Sequence, residues 1–243
     1  MTPSRRALLV AAATTLPLLA SGPALAWGER LTGSGRSATE TRAVTGFDAI
    51  GLSGSMDLRV RQTATDTVEI TADDNLLPYL ETVLEGSRLQ VRWKRGTSVS
   101  TRSKVLVTIG AQKLRALSIA GSGDAVIDDF NTPSLSIAVS GSGSAKLNKL
   151  ATEDLSVRIA GSGDVGGDGR ATKLSVSISG SGDVKLTEML ADEVNVRIAG
   201  SGDAKVRAEK KLDVSIAGSG DVGYTGSAKL SSSVAGSGRV RQL

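Results

Sequence analysis

Ser177-Ile178-Ser179-Gly180-Ser181-Gly182-Asp183-Val184-Lys185-Leu186 is answered one period later by Arg197-Ile198-Ala199-Gly200-Ser201-Gly202-Asp203-Ala204-Lys205-Val206. In both stretches apolar residues alternate with small or polar ones up to a Gly-Ser-Gly turn, and the alternation resumes beyond it. Alternation with period two is the pattern of a strand that buries one face. Seven such turns start at Gly121, Gly141, Gly161, Gly180, Gly200, Gly218 and Gly236, spaced 18 to 20 residues apart. A fixed period of this length marks stacked coils.

Working outward from the turn, apolar residues stand two, four and six positions upstream of the first glycine. Examples are Leu135/Ile137/Val139, Leu155/Val157/Ile159, Val194/Val196/Ile198 and Leu212/Val214/Ile216. Small or apolar residues recur four and six positions downstream, as in Ala125/Ile127, Val184/Leu186 and Ala204/Val206. Each unit therefore reads as strand, glycine corner, strand and a short loop such as 187–192. One unit cannot bury its own apolar face. Stacking units at the inter-strand spacing of ~4.8 Å pairs the backbone groups and builds one continuous core. The expected fold is all-β, a parallel β-helix-like stack of short-strand coils. The glycines are expected to supply corner conformations with positive φ, and the serines between them a column of hydroxyls.

The ends of the chain bear on its compartment. Ser4-Arg5-Arg6 precedes an apolar run over 7–20, and Ala24-Leu25-Ala26 is a small-x-small cleavage signal. Residues 1–26 read as an export peptide, and the paired arginines admit a twin-arginine route. Pro17 and the shortness of the apolar run argue against a retained anchor, since a membrane span needs ~20 apolar residues. With no cysteine there is neither a disulfide frame nor a lipoprotein-type lipidation site. The expected location is periplasmic, cell-surface or extracellular. The formal net charge of +4 falls to +2 once Arg5 and Arg6 are removed, too little to imply nucleic acid as a partner.

Residues 27–42 are polar and glycine-rich and read as a flexible leader. A single repeat domain is expected over 43–243, with N-terminal coils and cap at 43–115 and regular repeats at 116–243. The N-terminal part reads mostly as short strands. One short helix is expected within 73–85, with Leu76, Leu80 and Leu84 on one face, and a polar loop over 96–104. Gly54-Ser55-Met56-Asp57 reads as a diverged first copy of the repeat turn, as expected of a terminal repeat. At the other end Arg239 takes the place of the aspartate, Arg241 follows, and Ser232 replaces a core residue. Basic residues on a last, unpaired strand oppose edge-to-edge aggregation.

Phe47-Asp48-Ala49-Ile50, the following Gly54-Ser55-Met56-Asp57, the stretch Glu69-Ile70-Thr71-Ala72-Asp73-Asp74-Asn75-Leu76-Leu77 and the repeated Gly-Ser-Gly-Asp turns resemble one family. It is the bacterial putative auto-transporter adhesin family with a head GIN domain, and the resemblance runs from about Ala43 to the C-terminus. It implies a β-helix-like stack on an exported protein with an adhesin role.

Few residues can carry chemistry. Histidine and cysteine are both absent, which removes imidazole bases, thiolate nucleophiles and His/Cys zinc sites. What remains is a column of aspartates following the turns: Asp124, Asp164, Asp183, Asp203 and Asp221, interrupted by Ser144. Three roles compete for it. In the first, each carboxylate accepts hydrogen bonds from turn N–H groups and draws on a lysine two residues later, as at Lys185 and Lys205. In the second, neighbouring carboxylates bind calcium, although the known calcium β-roll has a nine-residue period and a different glycine pattern. In the third, the aspartates cleave polysaccharide. Repetition counts against that, because a catalytic constellation is a local departure from a repeat.

Arg158 and Arg197 read as a solvated face. The aromatics Trp27, Phe47, Tyr79, Trp93, Phe130 and Tyr224 are scattered, and no repeat turn carries one. No phosphate-loop motif is present. The expectation is thus a non-catalytic exported repeat protein without a resident cofactor, binding an envelope or extracellular polysaccharide or a surface protein. A polysaccharide-active β-helix enzyme and a purely structural, self-associating envelope protein are the alternatives.

Overall fold

The computed structural model describes residues 29–243. The export peptide expected over 1–26 lies outside the described residues. The strands of the N-terminal part are β1 (Glu29–Thr32), β2 (Ser37–Arg42), β3 (Ala49–Gly54), β4 (Asp57–Gln62), β5 (Thr67–Asp73), β6 (Leu80–Glu85), β7 (Arg88–Trp93), β8 (Thr97–Ser100) and β9 (Leu106–Ala111). The repeats supply β10 (Ala116–Gly121), β11 (Ala125–Asp128), β12 (Asn131–Gly141), β13 (Ser144–Gly161), β14 (Asp164–Gly180), β15 (Val184–Gly200), β16 (Ala204–Gly218), β17 (Val222–Thr225), β18 (Lys229–Gly236) and β19 (Val240–Gln242). No helix among the described residues is long and apolar enough to cross a membrane.

The repeats form a parallel β-solenoid, and the alternation does in space what period two requires. Leu174, Val176 and Ile178 are buried while Ser175, Ser177 and Ser179 between them are exposed. Successive coils pair in parallel, with Gly161, Gly180, Gly200 and Gly218 facing one another in turn. Ile159, Ile178, Ile198 and Ile216 share the same register and stack as one inward column.

Both glycines of the turn are needed, for different reasons. Gly180 has φ of 127°, in the region that only glycine enters freely, and a Cβ there would collide with the Gly161 carbonyl oxygen of the preceding coil. Gly182 has no such φ, yet a Cβ on it would strike the Gly163 carbonyl. The second glycine therefore serves close stacking and not backbone handedness, which corrects the expectation that the pair supplies positive φ. The intervening Ser181 donates its N–H to the Gly161 carbonyl at 2.9 Å, and Ser201 repeats this to Gly180 at 2.9 Å.

The segment between coils, expected as a loop, is a further paired stretch. Leu190 and Ala191, within 187–192, lie in β15 and pair with Arg170 and Ala171 of β14. Met189, Ala191, Phe130, Leu150 and Ala208 join the same core from this side. The register shifts that absorb the 18-to-20 spacing fall here, between Leu147 and Leu150, Gly166 and Asp168, and Leu186 and Leu190. They break the local alternation, which is why this side of the coil does not read as a strand.

The N-terminal part follows the repeat only once. Gly54 pairs with Gly121 and Ile50 with Leu117, so β3 and β4 form the coil next to the first regular one. The chain then folds back to the opposite edge of that coil, where β7 runs parallel to β3 and β9 parallel to β4. Around them β2, β5 and β6 pair antiparallel. The helix expected within 73–85 is a three-residue 3-10 turn, Leu77–Tyr79, followed directly by β6. Pro78 removes an N–H that a longer helix would need, and Thr82 and Val83 pair with Val91 and Gln90 of β7. Leu84, expected on the helix's apolar face, is 42% exposed.

The segment 27–42, expected as a flexible leader, carries β1 and β2 from Glu29 onward. β1 pairs with β8 inside the expected polar loop 96–104, and β2 pairs with β5. At the far end, among the described residues, β18 pairs with β16 alone and β19 with β17 alone. Every residue of β18 is exposed.

Candidate functional site

Each aspartate of the column is held by the coil that follows it. Asp164 Oδ1 accepts the N–H of Asp183 at 3.1 Å, Asp183 Oδ1 that of Asp203 at 3.1 Å, and Asp203 Oδ1 that of Asp221 at 2.8 Å. Asp221 Oδ1 closes the series on the N–H of Arg239 at 2.9 Å. The acceptor role expected of the column is present, but the donor belongs to the next coil and not to the aspartate's own turn. Where Ser144 interrupts the column, its N–H and hydroxyl both donate to Asp124 Oδ1, at 3.2 and 2.7 Å. Having no carboxylate to offer, Ser144 leaves the Asp164 N–H to bond the Gly143 carbonyl at 3.2 Å.

Of the two expected lysine partners, Lys185 Nζ lies 3.8 Å from Asp183 Oδ2. Lys205 makes no such pair with Asp203 among the described residues. The column is a ladder of single carboxylates, at most one per coil, with Ser144 as the gap. No three acidic groups come together to hold a metal ion among the described residues. Arg158 and Arg197 are exposed and turn to local partners, Ser136 Oγ at 3.4 Å and Asn195 Oδ1 at 2.5 Å.

The repeat ends against something different. β7 lies beside β3 with Arg92 opposite Ser53, so Trp93 stands where the next coil of the series would carry a turn glycine opposite Gly54. Its indole packs on that turn: a Cβ built on Gly54 would lie 3.3 Å from Trp93 Cδ1. Here the aspartate ladder also begins, because Asp57 Oδ1 accepts the N–H of Asp124 at 3.4 Å. Lys104 Nζ approaches Asp57 Oδ2 at 3.9 Å. Between the first turn and the 99–105 segment lies a cleft of about 590 Å³, lined by Ser55, Asp57, Trp93, Thr101, Ser103, Lys104 and Asp124 among others.

The wall of this cleft is pinned from behind by Asp73, the last residue of β5, which is 1% exposed. Its carboxylate accepts the hydroxyls of Ser103 and Thr101, each at 2.6 Å. These bonds favour the charged form, so the Asp73 carboxyl is held below its ordinary value despite burial. The next two residues hold the N-terminal segment in the same way. Asp74 accepts the Ser34 hydroxyl at 2.5 Å and Arg36 Nε at 2.9 Å, while Asn75 donates to the Thr32 carbonyl at 2.8 Å and accepts the Ser34 N–H at 2.9 Å. Asp73-Asp74-Asn75, prominent in the sequence but without a role there, is a clamp that fastens 32–36 and 101–103 to the end of the solenoid. A smaller cavity of about 440 Å³ lies between these two fastened segments.

The structure thus brings Asp57 and Asp124 to one cleft and leaves Asp164, Asp183, Asp203 and Asp221 along the outside of the stack. Sequence reasoning passed over Trp93, Asp57, Lys104, Thr101 and Ser103. A signal for the first was present: aligning Leu89/Val91 with Ile50/Leu52 sets Trp93 against Gly54.

A family model described as putative auto-transporter adhesin, head GIN domain, matches residues 46–228. No protein of curated function matches the chain. Among solved structures, a putative adhesin from Bacteroides fragilis is 24% identical with a TM-score of 0.84, over 88% of this chain and 100% of that one. A putative adhesin from Parabacteroides merdae is 26% identical with a TM-score of 0.70, over 88% and 99%. A protein from Parabacteroides distasonis described as a putative lipid binding protein is 27% identical with a TM-score of 0.73, over 88% and 100%.

Proposed function

Because the chain belongs to the family of putative auto-transporter adhesins with a head GIN domain, we propose that it is a non-catalytic binding module of the exported, adhesin type. Its solenoid is the rigid stalk, and the cleft beside Trp93 is the binding end. The observation that carries this reading is the contrast between ladder and cleft. All along the ladder, at the cleft as on the stack, one oxygen of each aspartate accepts the N–H of the next coil, so the carboxylates alone distinguish no position. Among the described residues it is at the cleft that the ladder meets a tryptophan, a lysine and a hydroxyl-bearing wall together. A unique site on a regular scaffold is where specific recognition is sought.

The lipid-binding description of one structural relative finds less support here. The solenoid interior is filled by Leu, Ile and Val side chains, and the cleft lining is chiefly hydroxyl and charged. The fitting partner is a polar molecule of the envelope or extracellular surface.

The test is a pull-down of the purified protein on isolated cell envelopes and envelope polysaccharides, with calcium and with chelator. Saturable binding in both conditions is expected. Loss of binding in chelator would move the aspartate ladder from fold chemistry to a cation site. Absence of binding in both conditions, or release of soluble fragments from the polysaccharide, would overturn the reading.

A further inference from the structure

We propose that the cleft is a saccharide subsite in which the face of one sugar ring stacks on Trp93 while its hydroxyls bond to Asp57 and Asp124. This deepens the adhesin reading and rests on it. Phe47 and Phe130 are buried, and the Tyr79 hydroxyl is engaged by Glu29 at 3.1 Å. Tyr224 and Trp93 both pack half-buried against the core, but Trp93 stands beside the turn at Gly54 and at the mouth of the cleft. A half-exposed indole at the edge of a cavity offers the apolar aromatic surface that suits the C–H face of a sugar ring.

The remaining lining supplies what a polyhydroxylated ligand needs. Each carboxylate is an acceptor with several lone pairs, and the bonds already made to Asp57 and Asp124 occupy Oδ1 in both cases. Their Oδ2 atoms remain for ligand hydroxyls, Asp57 Oδ2 with Lys104 beside it at 3.9 Å. Charge-assisted bonds of this kind are about twice as strong as neutral ones. The volume of about 590 Å³ falls within the ~300–1,000 Å³ of ordinary ligand pockets. The Asp73 clamp holds Thr101 and Ser103 in place before a ligand arrives, which lowers the ordering cost of binding.

Charge narrows the class further. Asp57 and Asp124 against Lys104 leave one net negative charge in the cleft. Neutral and amino sugars therefore fit, and uronic acids are repelled.

The chain has two tryptophans, Trp27 and Trp93, so a Trp27→Phe background leaves Trp93 as sole reporter. Its emission is followed while the protein is titrated with chitohexaose, laminarihexaose and a galacturonate hexamer. The expected result is a saturable change with a neutral or amino-sugar oligomer, and affinity for galacturonate weaker by about tenfold or more. In the wild-type sequence Trp93→Ala lowers that affinity by about tenfold or more, Trp93→Phe by less, and Asp124→Asn by a few-fold. Envelope pull-downs of wild type and Trp93→Ala run in parallel. If wild type binds envelopes, Trp93→Ala binds them equally and no oligosaccharide competes, the saccharide subsite is overturned while the adhesin reading stands. If wild type binds neither envelopes nor oligosaccharides, both fall. The emission titration needs no cleft variant, so it decides the matter even where Trp93→Ala fails to fold.

Discussion

The main-chain N–H of Asp203 donates to Oδ1 of Asp183 across 3.1 Å, so an aspartate in one coil caps the backbone of the next. The same relationship recurs from Asp164 to Asp183 and from Asp203 to Asp221. Side chain and backbone are thereby joined in a ladder parallel to the stack, beside the ladder of serine N–H to glycine carbonyl bonds.

If that is the column's work, Asp183→Ala destabilises the protein by about 1 kcal/mol, the usual net worth of one such bond. Asp183→Asn, which keeps an oxygen at Oδ1, loses less. Urea unfolding of the two variants measures the difference. Binding to envelopes should be unchanged in both.

Glycine substitutions separate stacking from backbone handedness. Gly182→Ala drives a methyl against the Gly163 carbonyl and is expected to cost about 2–4 kcal/mol, or to abolish folding. Gly46→Ala meets open space at φ of 81°, so only the left-handed penalty of ~1–2 kcal/mol applies. Thermal midpoints of the two variants should fall in that order.

Core truncations should grade along the stack because each coil is stabilised only by its neighbours. Ile198→Ala, in the interior column, is expected to cost ~2–5 kcal/mol. Val234→Ala, at a position 41% exposed on the last coil, should cost under ~1 kcal/mol. Equal losses at both sites would mean that the terminal coil is covered in solution.

The clamp at Asp73 predicts a pH dependence with a definite sign. The hydroxyls of Ser103 and Thr101 hold the folded carboxyl below its ordinary value of 3.8. A group depressed on folding stabilises fully above its unfolded value and loses that contribution as pH falls through the folded one. Relative to intrinsic exchange rates, protection of the amides at 101–103, where the Ser103 N–H donates to Thr101 Oγ1 at 2.9 Å, should therefore hold from neutrality to about pH 4 and fall below it. In Asp73→Asn the same amides should exchange faster near neutrality and show no such acid step. An unchanged step in Asp73→Asn would assign the transition to another carboxylate.

How far the residues alone lead differs from one part of the chain to another. The columns Leu155/Leu174/Leu212 and Ile159/Ile178/Ile198 are legible because burial of alternate residues is a local pattern repeated at a fixed spacing. The stretch at Met189–Ala191 is not, because the register shifts that accommodate unequal coil lengths erase its alternation. Leu76, Leu80 and Leu84 have helical spacing, but the edge offered by β7 draws 80–85 into a sheet and leaves Leu84 exposed. Trp93 looks like one scattered aromatic until β7 is laid against β3, and Asp57 and Lys104, 47 residues apart in sequence, become neighbours only once β9 pairs with β4.

By itself, then, the sequence determined the stack: its all-β class, its period, its inward and outward faces and its glycine corners. These follow from short-range rules, namely alternation, turn chemistry and repetition, that every coil obeys separately. Tertiary structure decided the fold-back at the N-terminal end, the clamp at Asp73 and the cleft beside Trp93. Both edges of β3 present the same unpaired N–H and C=O groups, so backbone chemistry does not say which strand takes which edge. That choice falls to the packing of β7 and β9 against the first coil, a long-range contact between segments that no local pattern encodes.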